Sequence, residues 1–147
     1  MKINKTIFLA ILIITTMSCD NKVSLSLPSI FSDHMVLQRE TKVSFWGKSS
    51  PKENIKITGS WGSSSSTIAD NSGKWQLKLP TPSAGGPYEV VINDSKNSII
   101  YKDVLIGEVW LASGQSNMQW KLNQCKNCID NQDDEIENAN YNQIRFF

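Results

Sequence analysis

Ser116 is the residue of this 147-residue chain whose setting best suits chemistry. A serine hydroxyl is a poor nucleophile at neutral pH. It needs a sharp turn to expose it, a base to take its proton, and donors for the oxyanion that forms on the attacked carbonyl. Here an apolar run, Val109-Trp110-Leu111-Ala112, leads through Gly114 to Gln115, Ser116 and Asn117. A strand running through a glycine turn into a serine and then a helix sets the hydroxyl at the carboxyl edge of a sheet, where open α/β folds place their sites. The start of the helix favours developing negative charge. Such a placement suits acyl transfer through a serine ester. By spacing alone, the same arrangement is a plain connection in many folds.

The other candidates are weaker. His34 is the single histidine and falls in a β-rich region, where a surface or inter-strand role is expected. Cys125 and Cys128 form a C-x-x-C, read as a local disulfide or as two ordinary thiols. No thioredoxin-like pattern surrounds them, and one histidine leaves no obvious set of four zinc ligands. No metal and no cofactor is expected. Trp46 and Trp75 sit in strand phase with aliphatic residues and are expected in the core. Trp61, among glycine and serine residues, is the candidate for an exposed sugar-stacking platform.

Two kinds of element must position Ser116. From 23 to 102 short β-rich runs alternate with turn residues, as in an antiparallel β-sandwich, with strands expected at 43–46, 54–58, 65–69, 75–79, 88–92 and 98–101. Ile55 and Ile57 alternate with Lys56, and Trp75, Leu77 and Leu79 with Gln76 and Lys78, so each strand buries one face. Asn71-Ser72-Gly73 suits a hairpin turn, and Asp94 offers side-chain oxygens to turn amides. Near Asp103 the pattern changes. Val104-Leu105-Ile106 and residues 109–112 are near-continuous apolar runs, suited to strands buried on both faces of a parallel sheet. Asp130, Asp133, Asp134 and Glu135 precede Ile136 and Ala139, as at the start of a helix, and 144–147 reads as a further strand. The expected fold is therefore mainly β, with a β-sandwich at 23–102 followed at 103–147 by the opening strand-helix-strand of an α/β domain.

With Lys and Arg at 15 against Asp and Glu at 14, and no basic cluster, nucleic acid is not an expected partner. At the N-terminus Lys2 and Lys5 precede an apolar run at 7–14, too short to anchor in a bilayer but suited to an export signal. Ser18-Cys19 closes that region and resembles the lipobox of bacterial lipoproteins, with Thr16 where leucine is usual. Residues 1–19 are thus expected to be a lipoprotein-type signal, with Cys19 lipidated and the protein exported to the cell envelope.

The run Gly107-Glu108-Val109-Trp110-Leu111-Ala112-Ser113-Gly114-Gln115-Ser116-Asn117-Met118-Gln119-Trp120 closely resembles the nucleophile segment of the sialate O-acetylesterase family, GEVWLCSGQSNMEW, within the SGNH hydrolases. The likeness extends upstream through Phe31-Ser32-Asp33, Met35-Val36-Leu37-Gln38-Arg39, Gly73-Lys74-Trp75 and Ala84-Gly85-Gly86-Pro87-Tyr88, and downstream through Ala139-Asn140-Tyr141 and Ile144-Arg145. The resemblance implies that Ser116 attacks an acetyl ester of sialic acid or a related glycan, with its backbone amide as one oxyanion donor. Gly114, Gln115 and Asn117 would support the turn. It also implies a further Gly and Asn donor and an Asp-His pair, to which nothing here corresponds, so the chain is expected to be an N-terminal portion with little activity alone. The competing reading is a non-catalytic glycan-binding lipoprotein with a vestigial hydrolase segment. Metabolic labelling with an alkynyl fatty acid is expected to mark the wild-type product and not Cys19→Ala. An unlabelled product that retains Cys19 would refute lipidation.

Overall fold

The computed structural model describes residues 24–125 and 128–146. The expected signal at 1–19, with Cys19, lies outside the described residues, as does Phe147. The fold is mainly β. Its strands are β1 (Val36–Gln38), β2 (Lys42–Lys48), β3 (Asn54–Gly59), β4 (Ser64–Ile68), β5 (Lys74–Pro80), β6 (Gly85–Asn93) and β7 (Ser98–Gly107), followed by one short helix, α1 (Gln132–Glu137). Five strands form a sheet in the order β1-β7-β6-β3-β4, and β2 pairs with β5 in a second sheet. Only β1 and β7 run parallel. Among the described residues no helix is long and apolar enough to cross a membrane.

The two sheets share one apolar cluster. Phe45, Trp75, Leu77 and Leu79 enter it from the two-stranded sheet, and Ile55, Ile57, Val90, Ile92, Val104 and Ile106 from the other. Burying an aliphatic or aromatic side chain of this size contributes about 1.5–3 kcal/mol. A one-residue slip of β3 would exchange Ile55 and Ile57 for Lys56, so the alternation itself holds the register.

The turns do not all join paired strands. Residues 71–73 were expected to close a hairpin, yet β4 pairs with β3 and β5 with β2, so the turn carries the chain from one sheet to the other. Asp70 secures it. Its Oδ1 accepts the amides of Ser72 (2.7 Å) and Lys74 (3.0 Å), and the Ser72 hydroxyl donates to it as well. Asp94 behaves as its sequence position suggested, accepting the amides of Lys96 (2.8 Å) and Asn97 (2.6 Å).

The change of pattern near Asp103 has a local cause. Between the pairs Val90–Tyr101 and Tyr88–Val104, β7 supplies Lys102 and Asp103 against the single Glu89. This is a bulge, and Asp103 sits in it with a left-handed φ of 53°. Across the bulge the inward phase moves from Ile99 and Tyr101 to Val104 and Ile106. One strand therefore runs unbroken from Ser98 to Gly107, through the position where the sequence pattern changes.

Two tryptophans depart from expectation. Phe45 takes the inward slot of β2, so Trp46, next to it, must face outward. It is 41% exposed, with its ring edge-on to Phe31. Trp61 is instead tied into the fold: its Nε1 donates to the Pro80 carbonyl at 2.9 Å, and its ring meets Tyr88 edge-on. Trp75 is buried, as expected.

Gly47 makes the outer layer possible. Ser26 bridges to Lys48 alongside β2, and a Cβ at position 47 would overlap the Ser26 carbonyl oxygen and the Trp75 ring. Gly47→Ala is expected to cost about 1–3 kcal/mol through overpacking. Urea denaturation monitored by tryptophan fluorescence measures it, and a wild-type midpoint would contradict this close approach.

Candidate active site

Beyond Gly107 the chain leaves the sheet. Residues 109–112, expected as a buried strand, form none: Trp110 is 85% and Leu111 93% exposed. Residues 144–146 also form no strand, and Phe146 is exposed. The reason is pairing. A parallel strand takes its hydrogen bonds and its covering from neighbours, and among the described residues no strand lies beside either run.

Ser116 opens a 3-10 turn, Ser116–Gln119, closed by the Met118 amide donating to the Gln115 carbonyl at 2.9 Å. Gly114 lies against this turn, and a Cβ there would sit 2.8 Å from Met118 Cγ. The backbone of Asn117 belongs to the turn. Ser116 is exposed, and among the described residues no side chain hydrogen-bonds its hydroxyl. A second 3-10 turn, Leu122–Gln124, follows, then a disulfide between Cys125 and Cys128, then α1. The helix expected after the acidic cluster is present, but it is six residues long and begins well after Ser116.

Two polar clamps fasten the ends of this segment to the β1–β7 edge of the larger sheet. At its start Glu108 accepts Gln38 Nε2 (2.9 Å) and Arg39 Nε (2.6 Å), while Gln38 Oε1 accepts the Val109 amide (2.9 Å). At its end Arg145 Nη2 donates to both oxygens of Asp103 at 3.0 Å, and Nη1 donates to the His34 and Asp103 carbonyls. His34 Nδ1 lies 2.6 Å from Asp103 Oδ2, so the single histidine is engaged here. It sits in a left-handed turn before β1. Sequence reasoning passed over Asp103, Glu108 and Arg145 as functional residues. A carboxylate at a phase change, with a lone arginine far along the chain, was the available signal.

Both carboxylates are held below their ordinary range. For Asp103 the causes are the hydrogen bonds from His34 and then Arg145, and for Glu108 those from Gln38 and then Arg39. Among the described residues no group of three or more His, Cys, Asp or Glu side chains is placed to hold a metal ion.

No family model matches the chain. It is 30% identical to the sialate O-acetylesterase of Mus musculus over 149 residues, which cover 95% of this chain and 27% of the mouse protein. It is 33% identical to the sialate O-acetylesterase of Homo sapiens over 128 residues, covering 80% of this chain and 24% of the human one. Among solved structures, a carbohydrate acetylesterase from Xanthomonas citri matches with a TM-score of 0.63 and 40% identity, over 69% of this chain and 23% of that one. These relatives are esterases of carbohydrate acetyl groups. The chain is similar to sialate O-acetylesterases and to this carbohydrate acetylesterase, and spans about a quarter of the length of these relatives.

Arg145→Gln removes the donor that Asp103 and the two carbonyls share. Amide exchange at 140–146 is expected to rise while β3 and β6 keep their protection, and unchanged exchange there would show the clamp to be idle. The pH dependence has a definite sign. Because the carboxylates titrate lower when folded, their contribution is complete above the unfolded value of about 4. It is lost as pH falls through the depressed folded values, and wild-type protection at 140–146 should fall in that window.

Proposed function

We propose that this chain carries the nucleophile of a carbohydrate esterase that removes O-acetyl groups from sialic acid or a related glycan. The observation that carries the reading is the run from Gly107 to Trp120 with Ser116 at its turn, in a chain whose relatives are named sialate O-acetylesterases and a carbohydrate acetylesterase.

In this reading Ser116 Oγ attacks the acetyl carbonyl while its own backbone amide donates to the oxyanion. The sugar hydroxyl departs with a proton, leaving acetyl-serine, and water then releases acetate and restores the hydroxyl. Among the described residues no side chain, His34 included, hydrogen-bonds the Ser116 hydroxyl, so in this reading the base is brought to Ser116 from elsewhere. Residues 109–112 and 144–147 become strands of an SGNH-type sheet when neighbouring strands pair with them, and the β-rich part acts as a sandwich domain beside it. Gly114, Gln115 and Asn117 shape the nucleophile turn. Export and attachment through Cys19 belong to the same proposal, supported by Lys2, Lys5, the apolar run at 7–14 and the Ser18-Cys19 pair.

A chimera in which residues 24–146 replace the matching segment of the Xanthomonas citri relative tests the reading, once a cooperative melt shows that it folds. It should hydrolyse 4-nitrophenyl acetate and O-acetylated N-acetylneuraminic acid. Ser116→Ala should lower kcat by about 10³-fold or more, and the 147-residue chain alone should show no Ser116-dependent turnover. Full activity of the Ser116→Ala chimera would refute the nucleophile assignment. Ser116-dependent turnover by the short chain would refute the external base.

A further inference from the structure

The outward face of the two-stranded sheet has a composition that the fold does not require. Its register sets Trp46 opposite Gln76 and Lys48 opposite Lys74, with Lys42 and Lys78 further along the same face. Neither β2 nor β5 contains an acidic residue, and among the described residues none of these four lysines is in an ion pair. Like charges directly opposite each other on paired strands destabilise the pair. Lysines on exposed strands do deter edge-to-edge association. That role does not account for an indole 41% exposed in their midst.

The face is also concave. The segment Ser26-Leu27-Pro28 rises beside β2 and the turn at Asp70 beside β5, enclosing a cleft of about 660 Å³ with Trp46, Lys48, Lys74 and Gln76 on its lining. That volume is in the range of small-molecule sites. Asp70 also lines the cleft, where its Oδ1 accepts Ser72 and the Lys74 amide and its charge acts on Lys74, so the lining holds two cations and one carboxylate and keeps a net positive charge.

We propose that this cleft binds a carboxylated pyranose, with the apolar face of the sugar ring against Trp46 and its carboxylate between Lys48 and Lys74. A flat indole with polar groups around it suits a ring that is apolar on its faces and hydroxylated at its edges. An anion between the two lysines turns their mutual repulsion into paired charge-assisted hydrogen bonds. Gln76 and the free oxygen of Asp70 serve the hydroxyls. The cleft is built entirely from residues before β6, so the proposal stands apart from the role of Ser116. It assigns the β-rich part a saccharide site of its own.

The test titrates the 147-residue chain with N-acetylneuraminic acid, its methyl ester, galacturonic acid and N-acetylglucosamine, following tryptophan fluorescence and amide chemical shifts. The acids should bind and perturb Trp46, Lys48 and Lys74. The methyl ester and the neutral sugar should bind about tenfold more weakly or less. Comparison of the two acids distinguishes a sialic from a uronic source. Lys48→Gln with Lys74→Gln should weaken acid binding about tenfold with the melting temperature unchanged or raised, Trp46→Ala should abolish it, and Ser116→Ala should leave it intact. Equal affinity for acid and methyl ester, or no binding by either acid, would overturn the proposal. Loss of binding in Ser116→Ala would also overturn it, by placing the sugar at the esterase turn.

Discussion

The bulge at Lys102 and Asp103 is the constraint on which the placement of Ser116 depends. β7 has to satisfy two partners, since its whole length pairs antiparallel with β6 and its last residues pair parallel with β1. A strand of strict two-residue period that kept Tyr101 inward would turn Val104 and Ile106 outward, and both are fully or almost fully buried. One extra residue resolves the conflict. It also puts Asp103 in a left-handed conformation, with its carboxylate against His34 and Arg145. Packing of the core therefore fixes the anchor for a segment that returns from far along the chain. The same strand ends at Gly107, whose carbonyl accepts the Arg39 amide, and the second clamp follows at once through Glu108.

The β-rich part was largely legible because its signal is local. Alternation in β3 and β5, turn chemistry at Asp70 and Asp94, and proline at the end of β5 each report on their own surroundings, and six strands fell close to their expected positions. What was not legible depends on pairing between distant residues. β1 is three residues long and exists because β7 offers it an edge. The sheet partner of β5 cannot be read from the turn that precedes it, so a crossing between sheets looked like a hairpin. Trp46 and Trp61 exchanged roles for a similar reason: hydrophobicity suggested an inward Trp46, but Phe45 holds the inward phase. The phase change near Asp103 was visible, whereas its origin in a bulge depends on how β6 faces β7.

The candidate site divides the same way. Ser116, Gly114 and Gln115 were singled out from a contiguous run, and the structure places them in one exposed turn. The clamps join residues 42 positions apart for Arg145 to Asp103, about 70 for Glu108 to Gln38 and Arg39, and more than 100 for Arg145 to His34, beyond the reach of periodicity.

Among the described residues after Gly107 none is fully buried, and Trp110, Leu111 and Phe146 lie open to solvent. The segment is thus held at its two ends by hydrogen-bonded charges, with little apolar packing of its own. Exposed ion pairs contribute little to stability but hold direction well when several donors converge, as the guanidinium of Arg145 does here. Such anchoring fixes where the ends of the segment sit and leaves the path between them to whatever covers its apolar side chains. The nucleophile role proposed for Ser116 requires tighter control than that, since an error of about 1 Å at a reacting atom costs rate steeply. The β1–β7 edge therefore fixes the two ends of the segment through the clamps, while Trp110 and Leu111 between them stay open to solvent.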